Sequence, residues 1–242
     1  MKSNSLIKSP PKKDLKSVVC LSAGLDSTVN LYAAHKKTEV VQAVTFNYGQ
    51  KAAEKEIACA KAITAKLKIP HKVIELPWFK DLGESSLTSN KKNIPIGDDV
   101  SIDNHKKSII SAKAVWVPNR NGIFLNIAAG IAESLKADLV VPGFNLEEAS
   151  TFPDNSEGFM KTLDLSLSFS TANKVRVHCY TVALTKIQIV SAGKSLDLPF
   201  EMIWPCYFAK TKWCGECESC QRAKRALSFN QVPVTHLFES SK

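Results

Sequence analysis

No uncharged apolar run in this 242-residue chain approaches the roughly 18 residues that a membrane-spanning helix needs. The N-terminus, MKSNSLIKSPPKKDLKS, is basic but lacks the apolar core of a secretory signal. Residues 1–16 are therefore expected to form a disordered basic leader, and the protein to be cytoplasmic without a membrane association. Two common phosphate-binding patterns, G-x-x-x-x-G-K-[ST] and G-x-G-x-x-G, are both missing, which argues against kinase and dehydrogenase readings. No internal repeat is present. A disulfide framework is also disfavoured: the seven cysteines are an odd number, and four of them crowd into residues 206–220.

What is there is ordinary globular material. Hydrophobic residues make up 44% of the chain and charged residues 23%, enough to bury the core of one α/β domain or of a large and a small one. The net charge of +9 suits a polyanionic partner such as ATP, another nucleotide or RNA. Its basic residues are scattered, however, at Lys12/Lys13, Lys36/Lys37, Lys91/Lys92, Lys106/Lys107 and Arg222 to Arg225. Scattered charge reads as a solvated face more readily than as a nucleic-acid site.

Apolar, β-branched runs at Ser17–Leu21, Val40–Phe46, His71–Leu76, Leu139–Gly143 and Val175–Tyr180 predict strands. Ala53–Leu67 places Ile57, Ala60, Ile63 and Leu67 on one helical face, and Gly122–Lys136 places Ile123, Ile127, Ile131 and Leu135 in i, i+4 register. Strand then helix, repeated, predicts an α/β fold: a parallel sheet with helices on both faces. Residues 83–112 are polar and rich in turn formers, the composition of a long loop. From about Leu198 the chain turns to Pro, Trp and Cys, so the organisation expected is a main domain over 17–197 and a small C-terminal module over 198–242. Trp204, Trp213 and Phe229 in that module are candidates for a homodimer interface.

The first predicted strand stops in Ser22-Ala23-Gly24-Leu25-Asp26-Ser27 and feeds a helix at once. Ligands of open parallel sheets bind beyond the carboxyl ends of the strands. There Gly24 permits torsions that let successive N–H groups curl around an anion, and the helix start adds its positive dipole end. Ser22, Ser27 and Thr28 add hydroxyl donors, so the strand stops there to hold a phosphate chain. Asp26 reads as the helix N-cap and as a ligand of a Mg²⁺ shared with pyrophosphate, two roles that can hold together.

Cys206-x7-Cys214-x2-Cys217-x2-Cys220 can close a tetrahedral Zn²⁺ site, with Gly215 allowing a tight first turn. Four thiolates leave no open position, so the zinc is expected to be structural. An iron–sulfur cluster and redox-active pairs are the alternatives. Cys20, Cys59 and Cys179 lie in apolar segments and read as core residues.

LSAGLDST, residues 21–28, resembles the S-G-G-x-D-S loop of the PP-loop ATP pyrophosphatases, with Ala23 in place of the first glycine. These enzymes split ATP between its α and β phosphates and attach AMP to a substrate oxygen, on a Rossmann-like fold of the adenine nucleotide alpha hydrolase type. With the four-cysteine module the chain resembles the 7-cyano-7-deazaguanine (preQ0) synthase family. TFNYGQK (45–51) matches its F-x-Y-G-Q-[RK], VPNRN (117–121) its V-P-x-R-N, and GFNLEEASTFPD (143–154) its G-x-N-x-x-D-x-S-G-Y-P-D. Thr185–Lys186 falls at its T-K step before a helix, and Cys206–Tyr207 at its T-C-Y.

The resemblance implies that the chain uses ATP, Mg²⁺ and ammonia to convert 7-carboxy-7-deazaguanine, by way of the amide, to the nitrile precursor of queuosine. It implies a nucleotide site at Leu21, Ser22, Ala23, Gly24, Leu25, Asp26, Ser27, Thr28, Phe46, Tyr48 and Gln50. Asp26, Lys51, Arg120 and Lys186 would carry the chemistry, while Asn121, Asn145, Phe152 and Asp154 would hold the substrate. Several positions depart from the family pattern: Ala52 for a histidine, Glu148 for an aspartate, and Thr151, Asn155 and Ser156 where Gly, Cys and Arg are usual. They keep a divergent relative in view, one that transfers an adenylated deazapurine acid to an amine on a protein or nucleic acid. A non-catalytic zinc-ribbon module that binds RNA or protein is the reading from another class. NAD synthetase shares the loop but has no reason to carry Cys206–Cys220.

Overall fold

The β-branched runs pair with one another in parallel, as their near-continuous apolar character requires. A computed structural model describes residues 14–102 and 104–239, so the basic leader expected over 1–16 lies, up to residue 13, outside the described residues. In chain order the elements are β1 (Lys16–Cys20), α1 (Leu25–Lys37), β2 (Glu39–Asn47), α2 (Ala53–Leu67), β3 (His71–Glu75), α3 (His105–Val115), α4 (Arg120–Ser134) and β4 (Leu139–Val141). They continue with α5 (Leu146–Ala149), α6 (Glu157–Ser170), β5 (Arg176–Val177), α7 (Lys186–Ser195) and α8 (Glu218–Phe229). The sheet order is β3-β2-β1-β4-β5, and every pairing is parallel.

This order decides where a ligand can go. The chain winds outward from β1 through β2 to β3, then crosses to the other side for β4 and β5. Its direction reverses between β1 and β4, and the loops leaving those two strands part to open a crevice at their carboxyl ends. Val18, Val19, Val140 and Val141 fill the middle of the sheet with 0% exposure, so the crevice has a rigid floor. Two strands are shorter than their apolar runs. Pro142 has no N–H to continue the ladder after Val141, and β5 pairs only through Arg176 and Val177.

Two helices differ from their sequence pattern. In α4 the regularly spaced isoleucines are only half-buried and Leu135 is exposed, while Leu125, Ala128, Ala129 and Ala132 form the buried face. Small side chains let this helix lie close to the sheet, so volume rather than hydrophobicity selects the contact face. Within the stretch 83–112, α3 forms where a loop was expected. Asn104 caps it by accepting from the Lys107 N–H at 3.2 Å. Its buried face includes Ser108, Ser111, Ala112 and Val115, too polar to show as an apolar stripe.

Trp204 and Trp213 are buried within the chain itself; of the three candidate interface residues only Phe229 is exposed. Among the described residues no helix is long and apolar enough to cross a membrane.

Candidate active site

β1 ends at Cys20, and residues 21–24 form the tight loop that opens α1. Ala23, not Gly24, takes the left-handed conformation, at φ 59°, whereas Gly24 is extended at φ −67°. The residue that departs from the glycine pattern thus adopts the torsions a glycine would favour, at a cost of about 1–2 kcal/mol. Gly24 leaves room instead: a Cβ there would come within 3.3 Å of Ser22 Oγ. Ser27 Oγ accepts from the Ser22 N–H at 3.2 Å, donates to Gly24 O at 3.2 Å and lies 3.0 Å from Ser22 Oγ. No side chain caps α1, so its first-turn N–H groups face the crevice ready for an anion. Thr28 does not join them: its hydroxyl is fully buried and donates to Gly24 O at 2.7 Å.

Close approach of β4 brings the loop into place. A Cβ on Gly143 would lie 2.6 Å from both the N and Cα of Ser27. Gly143→Ala is therefore expected to push the start of α1 away, costing about 1–3 kcal/mol of stability. ATP affinity, read by isothermal titration calorimetry, should fall more than the stability loss alone predicts; unchanged affinity would mean that the loop tolerates the shift.

Asp26 occupies the second position of α1, so the N-cap reading does not hold. Its Oδ2 is ion-paired with Lys186 Nζ and accepts from Asn145 Nδ2 at 3.2 Å. Lys186 Nζ also reaches Glu148 Oε1 at 2.7 Å. One lysine at 5% exposure thus sits between two carboxylates. Burial pushes the Asp26 carboxyl up to about 6 despite the pull of Lys186. Burial would raise Glu148 too, but the charge and hydrogen bond of Lys186 outweigh it and hold Glu148 below its ordinary value. The two carboxylates in turn overcome burial and keep Lys186 protonated.

Thr185 and Gln188 form a capping box at the start of α7, which fixes Lys186 at its first position, and the Lys186 N–H donates to Glu147 Oε1 at 2.8 Å. Glu147 Oε2 accepts from Arg222 at 3.1 Å and Arg225 at 2.6 Å, tying this corner to α8. Glu148 reaches the lysine across the extra methylene by which it exceeds the usual aspartate. Asn145 is completely buried and both ends of its amide are engaged, Oδ1 accepting from the Glu148 N–H at 2.9 Å. It orients Asp26 from behind the cavity wall.

The opposite wall follows β2. Phe46 stacks on Phe124 with centroids 4.1 Å apart, and Arg120 at the start of α4 points Nη1 to Tyr48 OH at 3.4 Å. Gln50 wraps the turn: its Oε1 accepts from the Tyr48 N–H at 3.0 Å, and its Nε2 donates to Phe46 O at 3.0 Å and Glu56 Oε2 at 2.8 Å.

These residues enclose a cavity of roughly 230 Å³ whose wall includes Leu21, Ser22, Gly24, Leu25, Asp26 and Ser27 on one side and Phe46, Tyr48, Gln50, Arg120 and Asn121 on the other. Lys186 and Glu148 close one end. Asn121 lines the cavity and turns its side chain to Asp154.

Three expected residues lie elsewhere. Lys51 turns outward and donates to Lys92 O at 2.8 Å. Phe152 stacks on Trp116, with centroids 6.1 Å apart. Asp154 stands behind the wall, its charge facing Arg120 and its carboxylate turned to Asn121, while its neighbour Asn155 lines the cavity. Lys51 lies in a turn and Phe152 and Asp154 at the short 3-10 segment Pro153–Asn155, whose directions periodicity does not predict. Glu56, Tyr207, Trp204, Ser219 and Ala223 were not anticipated. For Glu56 the signal was available: it lies within the first turn of the helix that follows Tyr48–Gln50.

Cys206, Cys214, Cys217 and Cys220 are all buried, and their sulfur atoms lie within 4.8 Å of one another. Backbone N–H groups of Phe208, Cys214 and Cys217 donate to cysteine sulfurs at 3.3–3.4 Å, which favours thiolates. Gly215 makes its turn at φ 76°, as the spacing required. Cys179 is buried as expected, while Cys20 and Cys59 are half-buried and Cys20 lines the cavity.

The sequence model of the family described as queuosine biosynthesis protein QueC matches residues 16–231. A 7-cyano-7-deazaguanine synthase from Bdellovibrio bacteriovorus is 58% identical over 229 residues, which cover 94% of this chain and 99% of that one. The corresponding synthase of Pelotomaculum thermopropionicum is 49% identical over 212 residues, covering 88% and 96%. That of Desulforamulus reducens is 47% identical over 212 residues, covering 88% and 93%.

Proposed function

This chain belongs to the QueC family of queuosine biosynthesis proteins, and on that premise we propose that it makes 7-cyano-7-deazaguanine from 7-carboxy-7-deazaguanine, ammonia and ATP. The observation that carries the reading is the buried Asp26–Lys186–Glu148 cluster beneath an uncapped helix start, at the point where the strand order reverses. It sets a carboxylate oxygen able to hold a cation beside a cradle of N–H donors, which is what departure of pyrophosphate requires.

The chemistry begins with a poor leaving group, a carboxylate oxygen. That oxygen attacks the α-phosphorus of ATP, and pyrophosphate departs into the Ser22–Ser27 loop and the first turn of α1. Lys186 offsets the carboxylate charge of Asp26 and Glu148, which would otherwise repel the departing group. Ammonia then displaces AMP to give the amide. A second adenylation, on the amide oxygen, lets AMP leave again as the nitrile forms. Arg120, the cation of the opposite wall, suits the substrate carboxylate, a role left open by the missing arginine at Ser156. Ser156 instead caps α6, accepting from the Phe159 N–H at 3.1 Å.

Asp26 Oδ1 is buried at the cavity without a hydrogen-bond partner among the described residues, a hard oxygen donor that fits Mg²⁺. Bound there, the ion would offset pyrophosphate charge. The four-thiol cluster fits Zn²⁺, which would supply structure and no chemistry.

Incubating the protein with ATP, ammonia and the carboxy-deazaguanine should give nitrile by mass, with two AMP and two pyrophosphate per nitrile. Pyrophosphate release that stalls at adenylate or amide would favour the divergent relative acting on another amine.

A further inference from the structure

Proton transfer is the part of this reaction that the residues above leave unassigned. Amide formation sheds a proton from the incoming nitrogen, and nitrile formation sheds two more. Most ionisable groups in the cavity wall are committed. Asp26 and Glu148 pair with Lys186, and Lys186 and Arg120 hold their protons. Burial raises the Tyr48 phenol, and the Cys20 thiol is pushed up to about 12.

Glu56 is the exception. It lines the cavity opposite the Asp26 cluster, and among the described residues its carboxylate has one hydrogen bond, Gln50 Nε2 to Oε2 at 2.8 Å. Gln50 is itself pinned by Phe46 O and the Tyr48 N–H, so one oxygen is fixed and the other is left for a ligand.

We propose that Glu56 is the base that takes protons from the substrate nitrogen, with Gln50 as its positioning residue. The proposal rests on the nitrile-forming reading of the site. As ammonia nitrogen bonds to the acyl-adenylate carbon, the C–O bond to AMP breaks and a nitrogen proton passes to Glu56 Oε1. The adenylated amide carries two protons on nitrogen. They leave in succession through Glu56 to solvent as the C≡N bond forms and the second C–O bond to AMP breaks.

Ionisation of Glu56 is set from several sides. Burial pushes its carboxyl up to about 7, against the Gln50 hydrogen bond and the Arg120 charge on α4, and Tyr48 and Cys59 are the other titratable groups that feel it. A base near neutrality is matched to its task at working pH.

The test separates the steps in Glu56→Gln and Glu56→Asp. Acid-dependent ATP–pyrophosphate exchange reads the first adenylation, which moves no nitrogen proton; amide and nitrile formation read the rest. Glu56→Gln should slow amide and nitrile formation by about 10²–10³-fold and exchange by far less. It should also erase the acidic limb of the pH–rate profile, and Glu56→Asp should restore part of both. Equal losses in exchange and amide formation, or a raised KM for the acid with kcat unchanged, would overturn the proposal. Absence of acid-dependent exchange in the unaltered protein would instead defeat the adenylation reading itself.

Discussion

Replacing Lys186 with methionine should lower stability by about 3–5 kcal/mol and slow pyrophosphate release by about 10³-fold. The lysine is 5% exposed and satisfies two carboxylates; methionine fills the space but leaves Asp26 and Glu148 facing one another without a cation. Both acids would then titrate above their unfolded values. An acid raised in the folded state adds stability below its unfolded value and loses it as pH rises through the folded one. With Lys186 present, Asp26 already titrates at about 6, so without it the deficit should be largest near pH 8 and smaller near pH 5. Urea denaturation at the two pH values measures the first effect and a coupled pyrophosphate assay the second. Asp26→Asn keeps shape and leaves Lys186 paired with Glu148, so its loss of pyrophosphate release would isolate the chemistry from the fold. Near-normal release in both variants would remove these residues from the mechanism.

The second large effect is expected at the cysteine cluster. Cys217→Ser removes one of four converging sulfurs at the N-cap of α8. Structural zinc contributes on the order of 10 kcal/mol to small domains of this kind, so the variant should lose its single metal ion and the order of the C-terminal segment. The damage should reach the crevice. α8 places Ser219 and Ala223 in the cavity wall, and its Arg222 bonds Glu147, which holds the Lys186 N–H. Arg222 also pairs with Glu218 at 2.8 Å, and Glu218 accepts from Ser111 of α3. Metal analysis and far-UV circular dichroism follow the tail, and nitrile yield follows the site. Iron or no metal in the unaltered protein, or full activity in a metal-free variant, would contradict this account.

The neighbourhood of α8 explains why the stretch 83–112 was hard to read. Its helix α3 presents serines to Glu218 and Arg222, and hydrogen bonds to a distant charged pair leave no apolar period behind. Ser22–Ser27 was readable because a strand that stops on small residues before a helix is a local event. Ala23 shows where such reading ends. Composition assigned the unusual torsion to Gly24, but the chain takes it at the alanine and uses the glycine for space near Ser22.

By itself the sequence determined the parallel α/β class, the tight loop between β1 and α1, the closed set of four cysteines and the family. Each rests on neighbours in the chain or on short fixed spacings, which the order of residues contains outright. Tertiary structure alone decided what those parts face: that Asn145 bonds Asp26, that Lys51 bonds Lys92 O and Phe152 stacks on Trp116, and that Glu56 lines the cavity. Contacts between elements far apart in the chain depend on how closely helices can approach the sheet, and that distance is set by side-chain volumes on both surfaces at once.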